Sequence, residues 1–124
     1  MKKIILDTNF LLIPANFRVD IFSEIEKLAD FHYGLFILDK TIEELKKIIV
    51  EQGGKHKFAA KLALELIKAK KINIINTGEG TVDNLLLEQK DAIIATSDKE
   101  LIKKLKTKHI KIIRLRQKKY LKME

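Results

Sequence analysis

The sequence predicts an α/β fold of three layers, in which helices cover both faces of a central parallel sheet of about five strands. Short apolar runs alternate along the chain with longer segments whose apolar residues recur at helical spacing. The apolar runs are continuous, which is typical of strands buried on both faces. With 124 residues, the chain is expected to form a single domain over 1–124, with a short basic tail at about 116–124.

The first half of the chain is predicted to contain two strands and three helices. The stretch 10–17 is apolar but contains Pro14, so a loop or a broken first turn is expected there. The glycine pair at 53–54 is expected to end the second helix. The strands are predicted over 3–6 and 35–38, and the helices over about 21–31, 41–51 and 55–70.

The second half is predicted to continue as strand, helix, strand, helix and strand. Thr81 and Ser97 are expected to cap its two helices, because each places a hydroxyl group just before a run with helical spacing. The basic tail is expected to finish as a short helix. The strands are predicted over 72–75, 92–96 and 110–115, and the helices over about 81–89 and 97–106.

The composition excludes several kinds of site and location. The chain has no cysteine, which rules out disulfides, thiolate metal sites and cysteine nucleophiles. His32, His56 and His109 are far apart in the sequence, which argues against a histidine-based zinc site. No apolar run approaches the ~20 residues of a membrane span, and the first residues lack the apolar core of a signal peptide. We therefore expect a cytoplasmic protein with no membrane partner.

The net charge of +8 and the isoelectric point near 9.6 allow two interpretations. A basic domain of this size often binds nucleic acid, because lysines and arginines displace the counterions of the phosphate backbone. A surface crowded with lysine and glutamate, as in heat-adapted proteomes, is the alternative. The charge alone leaves both open.

Four carboxylates fall at or near the carboxyl ends of predicted strands. Asp7 ends the first strand, and Glu44 lies one turn into the helix after the second. Asp83 opens the helix after the third strand, and Asp98 follows the fourth. In open α/β sheets, ligands bind beyond the carboxyl ends of the strands. The four carboxylates are therefore expected to converge on one end of the sheet.

Each carboxylate also has an ordinary structural explanation. Thr41 and Glu44 have the spacing of a capping box. Asp83 and Asp98 lie in first helical turns, where a negative charge interacts favourably with the helix dipole, and Asp7 could close a tight turn. Capping does not, however, require four carboxylates at the same end of one sheet.

Four carboxylates in one cleft repel each other unless cations neutralise them. Sites made only of oxygen ligands select hard ions, chiefly Mg²⁺ or Mn²⁺. A basic protein with an acidic pocket for divalent metals suggests phosphodiester hydrolysis, in which the metal activates water and lysines hold the nucleic-acid strand.

The motifs around these carboxylates resemble those of PIN-domain ribonucleases. The match covers nearly the whole chain in order: Asp7-Thr8-Asn9-Phe10, Glu44-Leu45, Thr81-Val82-Asp83-Asn84 and Ala95-Thr96-Ser97-Asp98-Lys99-Glu100-Leu101. Within the family, Gly80-Thr81 and Ala95-Thr96-x-Asp98-x-x-Leu101 are most similar to the ribosomal-RNA-processing branch of archaea and eukaryotes.

This resemblance implies an endoribonuclease that cleaves single-stranded RNA with one or two Mg²⁺ or Mn²⁺ ions, leaving a 5′-phosphate and a 3′-hydroxyl. It implies catalytic and metal-binding roles for Asp7, Glu44, Asp83 and Asp98. Supporting hydrogen bonds are expected from Thr8, Asn9, Asn84, Thr96 and Ser97. Asn84 departs from the processing branch, which often has a second aspartate there, and this bears on how tightly a second ion binds.

The expected substrate is RNA, with precursor ribosomal RNA as the candidate, held by basic residues beside the pocket. The alternative for most of these residues is an ordinary solvated helix face. The tail is the stronger candidate, because its cations lack matching acidic partners and it contains Tyr120, which could stack on a base. The candidate RNA-binding residues are Arg18, Lys55, Lys57, Lys99, Lys103, Arg116, Lys118 and Lys119.

The resemblance also implies a homodimer, formed through the Ile- and Leu-rich second and third helices, and partners in ribosome assembly. Two alternatives share the fold: a toxin ribonuclease of a toxin–antitoxin pair, and a catalytically weak RNA-binding scaffold. A phosphatase-like α/β domain would need a second aspartate where Asn9 stands.

Overall fold

The computed structural model describes residues 1–124 and is built on one six-stranded sheet with the strand order β3-β2-β1-β4-β5-β6. Strands β1 to β5 run parallel, and β6 runs antiparallel to β5. The strands are β1 Lys2–Leu6, β2 Tyr33–Leu38, β3 Asn73–Ile75, β4 Ala92–Ala95, β5 Ile112–Arg116 and β6 Tyr120–Met123.

Six α-helices and one short 3₁₀ helix connect the strands. The 3₁₀ helix covers Asn9–Leu12, and the α-helices are α1 Ile13–Phe17, α2 Ile21–Leu28, α3 Asp39–Glu51, α4 Gly54–Ala69, α5 Val82–Leu87 and α6 Lys99–Thr107. No helix is long and apolar enough to cross a membrane.

The sheet separates two hydrophobic clusters, which confirms the predicted three-layer α/β fold. Because successive strand residues point to opposite faces, Ile4 belongs to one cluster and Ile5 to the other. The larger cluster packs the sheet against helices α1 to α4. The smaller one packs it against α5 and α6.

The stretch 10–17, for which a loop or a broken first turn was expected, is helical in the structure. These residues form most of the 3₁₀ helix and all of α1, and Pro14 lies at the start of α1. A proline is accepted there, because the first N–H groups of a helix have no acceptor within the helix. The buried side chains of Phe10, Leu11 and Ile13 anchor the segment in the larger cluster.

The prediction of a short helix in the tail was wrong. Residues 120–123 form β6, the sixth strand, where about five were predicted. Their exposure alternates in the manner of a strand: Leu121 is 3% exposed, whereas Tyr120 is 41% exposed. Leu121 and Met123 thereby reach the larger cluster from the edge of the sheet.

A three-residue loop, 117–119, joins β5 and β6 and contains a tight turn. The N–H of Lys119 donates to the carbonyl of Arg116 at 3.0 Å, and the central residues Gln117 and Lys118 have φ values of 52° and 57°. Turns of this kind favour Asn-Gly, because a Cβ atom makes positive φ unfavourable and the short side chain of asparagine tolerates it better than most. The chain thus places two long polar side chains where glycine or asparagine would be more stable.

We predict that Lys118→Gly stabilises the fold by about 1 kcal/mol, because glycine adopts positive φ without steric cost. Chemical denaturation measures the change. Lys119→Gly is the matched control: Lys119 is not in the positive-φ region, so glycine there should destabilise. Equal effects of the two substitutions would contradict the interpretation of the turn.

Candidate active site

The four carboxylates at the strand ends line a single cavity of about 410 Å³. Asp7 follows β1 directly, and Asp98 lies just beyond β4. Glu44 comes from α3, which begins where β2 ends, and Asp83 from α5, which follows β3. Since β1 to β4 run parallel, their carboxyl ends meet at one edge, and the predicted convergence is present.

Asp7 is the buried member of the group, with 4% of its surface exposed. Its Oδ1 accepts from the backbone N–H of Thr8 at 2.8 Å, and its Oδ2 accepts from the hydroxyl of Thr96 at 2.7 Å. Thr96 is completely buried and follows β4, the neighbour of β1. The two central strands therefore fix the orientation of this carboxylate.

The environment raises the pKa of Asp7 from 3.8 to about 6. Burial is the largest cause, and the nearby Asp83 and Glu44 carboxylates add to it. The hydrogen bonds from Thr96 and Thr8 act in the opposite direction. Burial and the charge of Asp98 likewise raise the pKa of Asp83, and the positive charge of Lys104 partly offsets this increase. The site thus concentrates negative charge in a partly desolvated place.

The hydroxyl of Thr8 orients Glu44 by donating to its Oε1. The Thr8 hydroxyl oxygen also lies 3.1 Å from that of Thr41. The capping box suggested for Thr41 and Glu44 does not form, because α3 begins at Asp39 and Thr41 is buried within its first turn. The capping explanation for Glu44 therefore fails.

Asp98, in contrast, caps α6. Its Oδ1 accepts from the N–H groups of Glu100 and Leu101 at 2.9 and 3.3 Å. Ser97 was expected to be the cap, but it lies one residue before the actual cap. The carboxylate thus combines the structural role with a place in the pocket, where its Oδ2 accepts no hydrogen bond from the protein.

Asn9 links the segment that follows β1 to the segment that follows β4. Its Oδ1 accepts from the N–H of Ser97 at 3.0 Å and lies 3.4 Å from the hydroxyl of Thr96. The same hydroxyl accepts from the N–H of Asp98 at 3.1 Å. Asn9, Thr96 and Ser97 therefore lie where supporting groups were expected, although Ser97 takes part through its backbone.

Asn84 does not reach the pocket. It is exposed, and its backbone N–H donates to the hydroxyl of Thr81, the cap of α5, at 3.2 Å. The expected cap at Thr81 is confirmed. The expected support from Asn84 is not found in this arrangement, because its side chain makes no hydrogen bond and does not line the cavity.

None of the eight candidate RNA-binding residues lines the carboxylate pocket. Lys55 lies on a separate cavity between α1 and α4, and Lys103 pairs with Glu100 at 4.0 Å. The cation that does line the pocket is Lys47, which sequence reasoning missed. Its position three residues after Glu44 could have revealed it, because residues three apart lie on one helix face.

The donor set of the pocket fits a hard divalent cation. All four carboxylates provide oxygen, and none of them forms a salt bridge within the protein. No three Asp, Glu or His side chains are grouped closely enough to form a ligand cluster as they stand. Glu44 faces Thr8, and Asp98 faces the N–H groups of its own helix.

Comparison with known proteins gives matches over nearly the whole chain. A family model described as a PIN like domain matches residues 4–118. Ribonuclease VapC4 of Methanocaldococcus jannaschii is 36% identical over 97% of this chain and 95% of its own length. Ribonuclease VapC9 of Archaeoglobus fulgidus is 30% identical over 87% of this chain and 78% of its own length.

Two solved structures share the fold. The PIN domain endonuclease Utp24 superposes with a TM-score of 0.79 at 22% identity, covering 98% of this chain and 90% of its own. A domain of a functionally unknown protein from Methanocaldococcus jannaschii gives a TM-score of 0.63 at 20% identity, covering 94% of this chain and 92% of its own. At these identities, the similarity concerns the arrangement of helices and strands.

The raised pKa of Asp7 predicts how stability depends on pH in metal-free buffer. Between pH 4 and pH 6 the folded state retains the Asp7 proton more strongly than the unfolded state, so the free energy of unfolding falls as pH rises. A change in pKa from 3.8 to about 6 corresponds to roughly 3 kcal/mol. Denaturation at several pH values in EDTA, with wild type and Asp7→Asn compared, isolates this contribution.

The Asp7→Asn variant should lack this part of the pH dependence and be more stable than wild type near pH 7. Asp30→Asn removes an exposed carboxylate outside the pocket and should keep the wild-type profile. The interpretation is wrong if Asp7→Asn gives the same slope as wild type.

Thr96→Val is predicted to destabilise the protein by about 1–3 kcal/mol at pH 7, because the Asp7 carboxylate and the N–H of Asp98 lose a hydrogen-bond partner. The variant should also shift the pH-dependent loss of stability towards higher pH, because the hydroxyl lowers the pKa of Asp7. Thr96→Ser keeps the hydroxyl and serves as the control in the same denaturation series. Identical pH profiles for Val and Ser would contradict this role.

Proposed function

Because the chain belongs to the PIN-like domain family, we propose that it is an endoribonuclease that cleaves single-stranded RNA with the help of Mg²⁺ or Mn²⁺. The observation that carries the proposal is the convergence of Asp7, Glu44, Asp83 and Asp98 on one cavity, without any cationic partner in a salt bridge. A helix cap needs one carboxylate, whereas a divalent cation accounts for all four.

The carboxylates of Asp7, Glu44, Asp83 and Asp98 would hold one or two ions. When bound, such an ion neutralises charge on the phosphate and activates water. The residues around the carboxylates orient them. Thr96 and the Thr8 N–H hold Asp7, and the Thr8 hydroxyl holds Glu44.

Protonation of Asp7 links this site to pH. With a pKa of about 6 in the metal-free protein, Asp7 is mostly ionised at pH 7 and mostly protonated at pH 5. A proton and a cation compete for the same oxygens, so apparent metal affinity should fall as pH falls through this range. The pocket offers no histidine that could act as a general base.

Two biological settings are supported by different observations. The similarity to two ribonucleases named VapC, one over nearly the full length of both chains, favours a toxin ribonuclease with a protein antitoxin as partner. The motifs Gly80-Thr81 and Ala95-Thr96-x-Asp98 favour ribosomal RNA processing. The homodimer and the ribosome-assembly partners implied by the resemblance stay predictions.

Mapping the cleaved RNA distinguishes these settings. Wild type and an Asp7→Asn variant are expressed in the same host, and RNA ends that depend on the active protein are sequenced. Growth arrest with cuts in tRNA or mRNA supports the toxin setting. Cuts at one position in precursor ribosomal RNA support processing.

The reaction itself is tested on a purified protein and a labelled single-stranded RNA. We expect cleavage with Mn²⁺ or Mg²⁺ and none with EDTA. Asp83→Asn should lower the rate by more than about 100-fold, since even groups that merely support metal ligands contribute 10- to 100-fold. Asp83 suits this test because its side chain makes no hydrogen bond within the protein, so the fold should be retained.

Glu88→Gln is the matched control for Asp83→Asn. Glu88 is an exposed carboxylate at the other end of α5 and does not line the cavity. Its substitution should leave the rate unchanged. Cleavage that persists in EDTA, or in purified Asp83→Asn, would refute the metal-dependent mechanism.

A further inference from the structure

The β5–β6 hairpin carries a basic and aromatic face whose composition follows from its register. Arg114 pairs with Lys122 and Arg116 pairs with Tyr120 across the two strands. Side chains alternate between faces along a strand, and directly paired residues share a face. These four residues, the hairpin face, therefore lie together, and the intervening Leu115, Leu121 and Met123 point the other way.

The two faces of the hairpin have different surroundings. Leu115, Leu121 and Met123 pack on the larger hydrophobic cluster, and β6 contacts α2 on that side. On the hairpin face, Arg116 and Lys122 are exposed, and Tyr120 is 41% exposed. The hairpin is thus anchored on one side and open to solvent around Arg116, Tyr120 and Lys122 on the other.

The positive charge of the hairpin face is only partly neutralised. Glu124 forms salt bridges with both Lys106, at 2.6 Å, and Arg114, at 3.7 Å. Arg116 and Lys122 form no salt bridge. Arg114 also lies directly opposite Lys122, and like charges at paired positions reduce the stability of a sheet. An anionic partner would relieve this repulsion.

The hairpin turn lies at the same edge of the sheet as the carboxylate pocket. β5 runs parallel to β4 and β1, so its carboxyl end, at Arg116, points the same way as Asp7 and Asp98. Two strand spacings separate β5 from β1, or about 10 Å. A polyanion that enters the pocket can continue to Arg116 and along the hairpin.

We propose that the hairpin face binds the single-stranded RNA next to the cleavage site, an inference that rests on the proposed ribonuclease function. Tyr120 stacks on an unpaired base, and Arg116 and Lys122 bind the flanking phosphates. An exposed aromatic ring beside cations on a sheet surface suits a single strand, whose bases are free to stack. A duplex offers phosphates but keeps its bases stacked internally.

Binding is measured by fluorescence anisotropy in EDTA, with a labelled 12-nucleotide single strand and with a duplex of the same length. Arg116→Gln and Lys122→Gln should each weaken binding to the single strand and each reduce the slope of log affinity against log salt by about 0.7. Lys111→Gln is the matched control, because Lys111 is exposed and precedes β5 at the opposite edge of the sheet. It should bind as wild type does.

Stacking is tested separately at Tyr120. Tyr120→Ala should weaken single-strand binding by about tenfold, within the range for loss of one stacked base, and should change duplex binding much less. Tyr120→Phe keeps the ring and should bind as wild type does. Thermal unfolding of each variant verifies that the hairpin is retained.

The proposal is overturned if Arg116→Gln and Lys122→Gln match Lys111→Gln, or if a folded Tyr120→Ala binds the single strand as tightly as Tyr120→Phe does. These outcomes leave the ribonuclease function intact when wild type still cleaves RNA with Mn²⁺. Conversely, hairpin-dependent RNA binding without metal-dependent cleavage would refute the ribonuclease function but would still support RNA binding by the hairpin face.

Discussion

The burial of one carboxylate at the end of the first strand shapes the whole candidate site. Asp7 directly follows the last residue of β1. The Thr96 hydroxyl, just beyond the adjacent strand β4, donates to its Oδ2. Removing a carboxylate from water is unfavourable, and the other acidic groups increase this cost. The surrounding hydrogen bonds offset part of it. A cluster of this kind reduces the stability of the metal-free fold, which is a common property of functional sites.

Much of the fold and the site could be predicted from the sequence, because both follow from patterns that the backbone imposes. Continuous apolar runs indicated a sheet buried on both faces, and parallel strands place their carboxyl ends at one edge. The convergence of Asp7, Glu44, Asp83 and Asp98 followed from those two facts. The family of the chain could be inferred from the same motifs.

The errors arose where local pattern and tertiary packing compete. Thr41 has the spacing of a capping residue, but α3 begins two residues earlier and buries it. Ser97 has the right chemistry for a cap, yet Asp98 takes that position. A helix was predicted in the tail because the four residues 120–123 are too few to distinguish helical from strand periodicity. Surface cations such as Arg114 were the least predictable, since no periodic constraint links them to a site until the strand register is known.

The carboxylate pocket draws its side chains from both layers of helices. Glu44 projects from α3, which packs on the larger cluster, whereas Asp83 and Asp98 belong to α5 and to the cap of α6, which pack on the smaller one. A cation held by all of them would cross-link the helices on one face of the sheet to those on the other. By mass action, an ion at 100 times its dissociation constant adds about 2.7 kcal/mol to the stability of the folded state. The stability of the folded state would then depend on the free concentration of divalent ions.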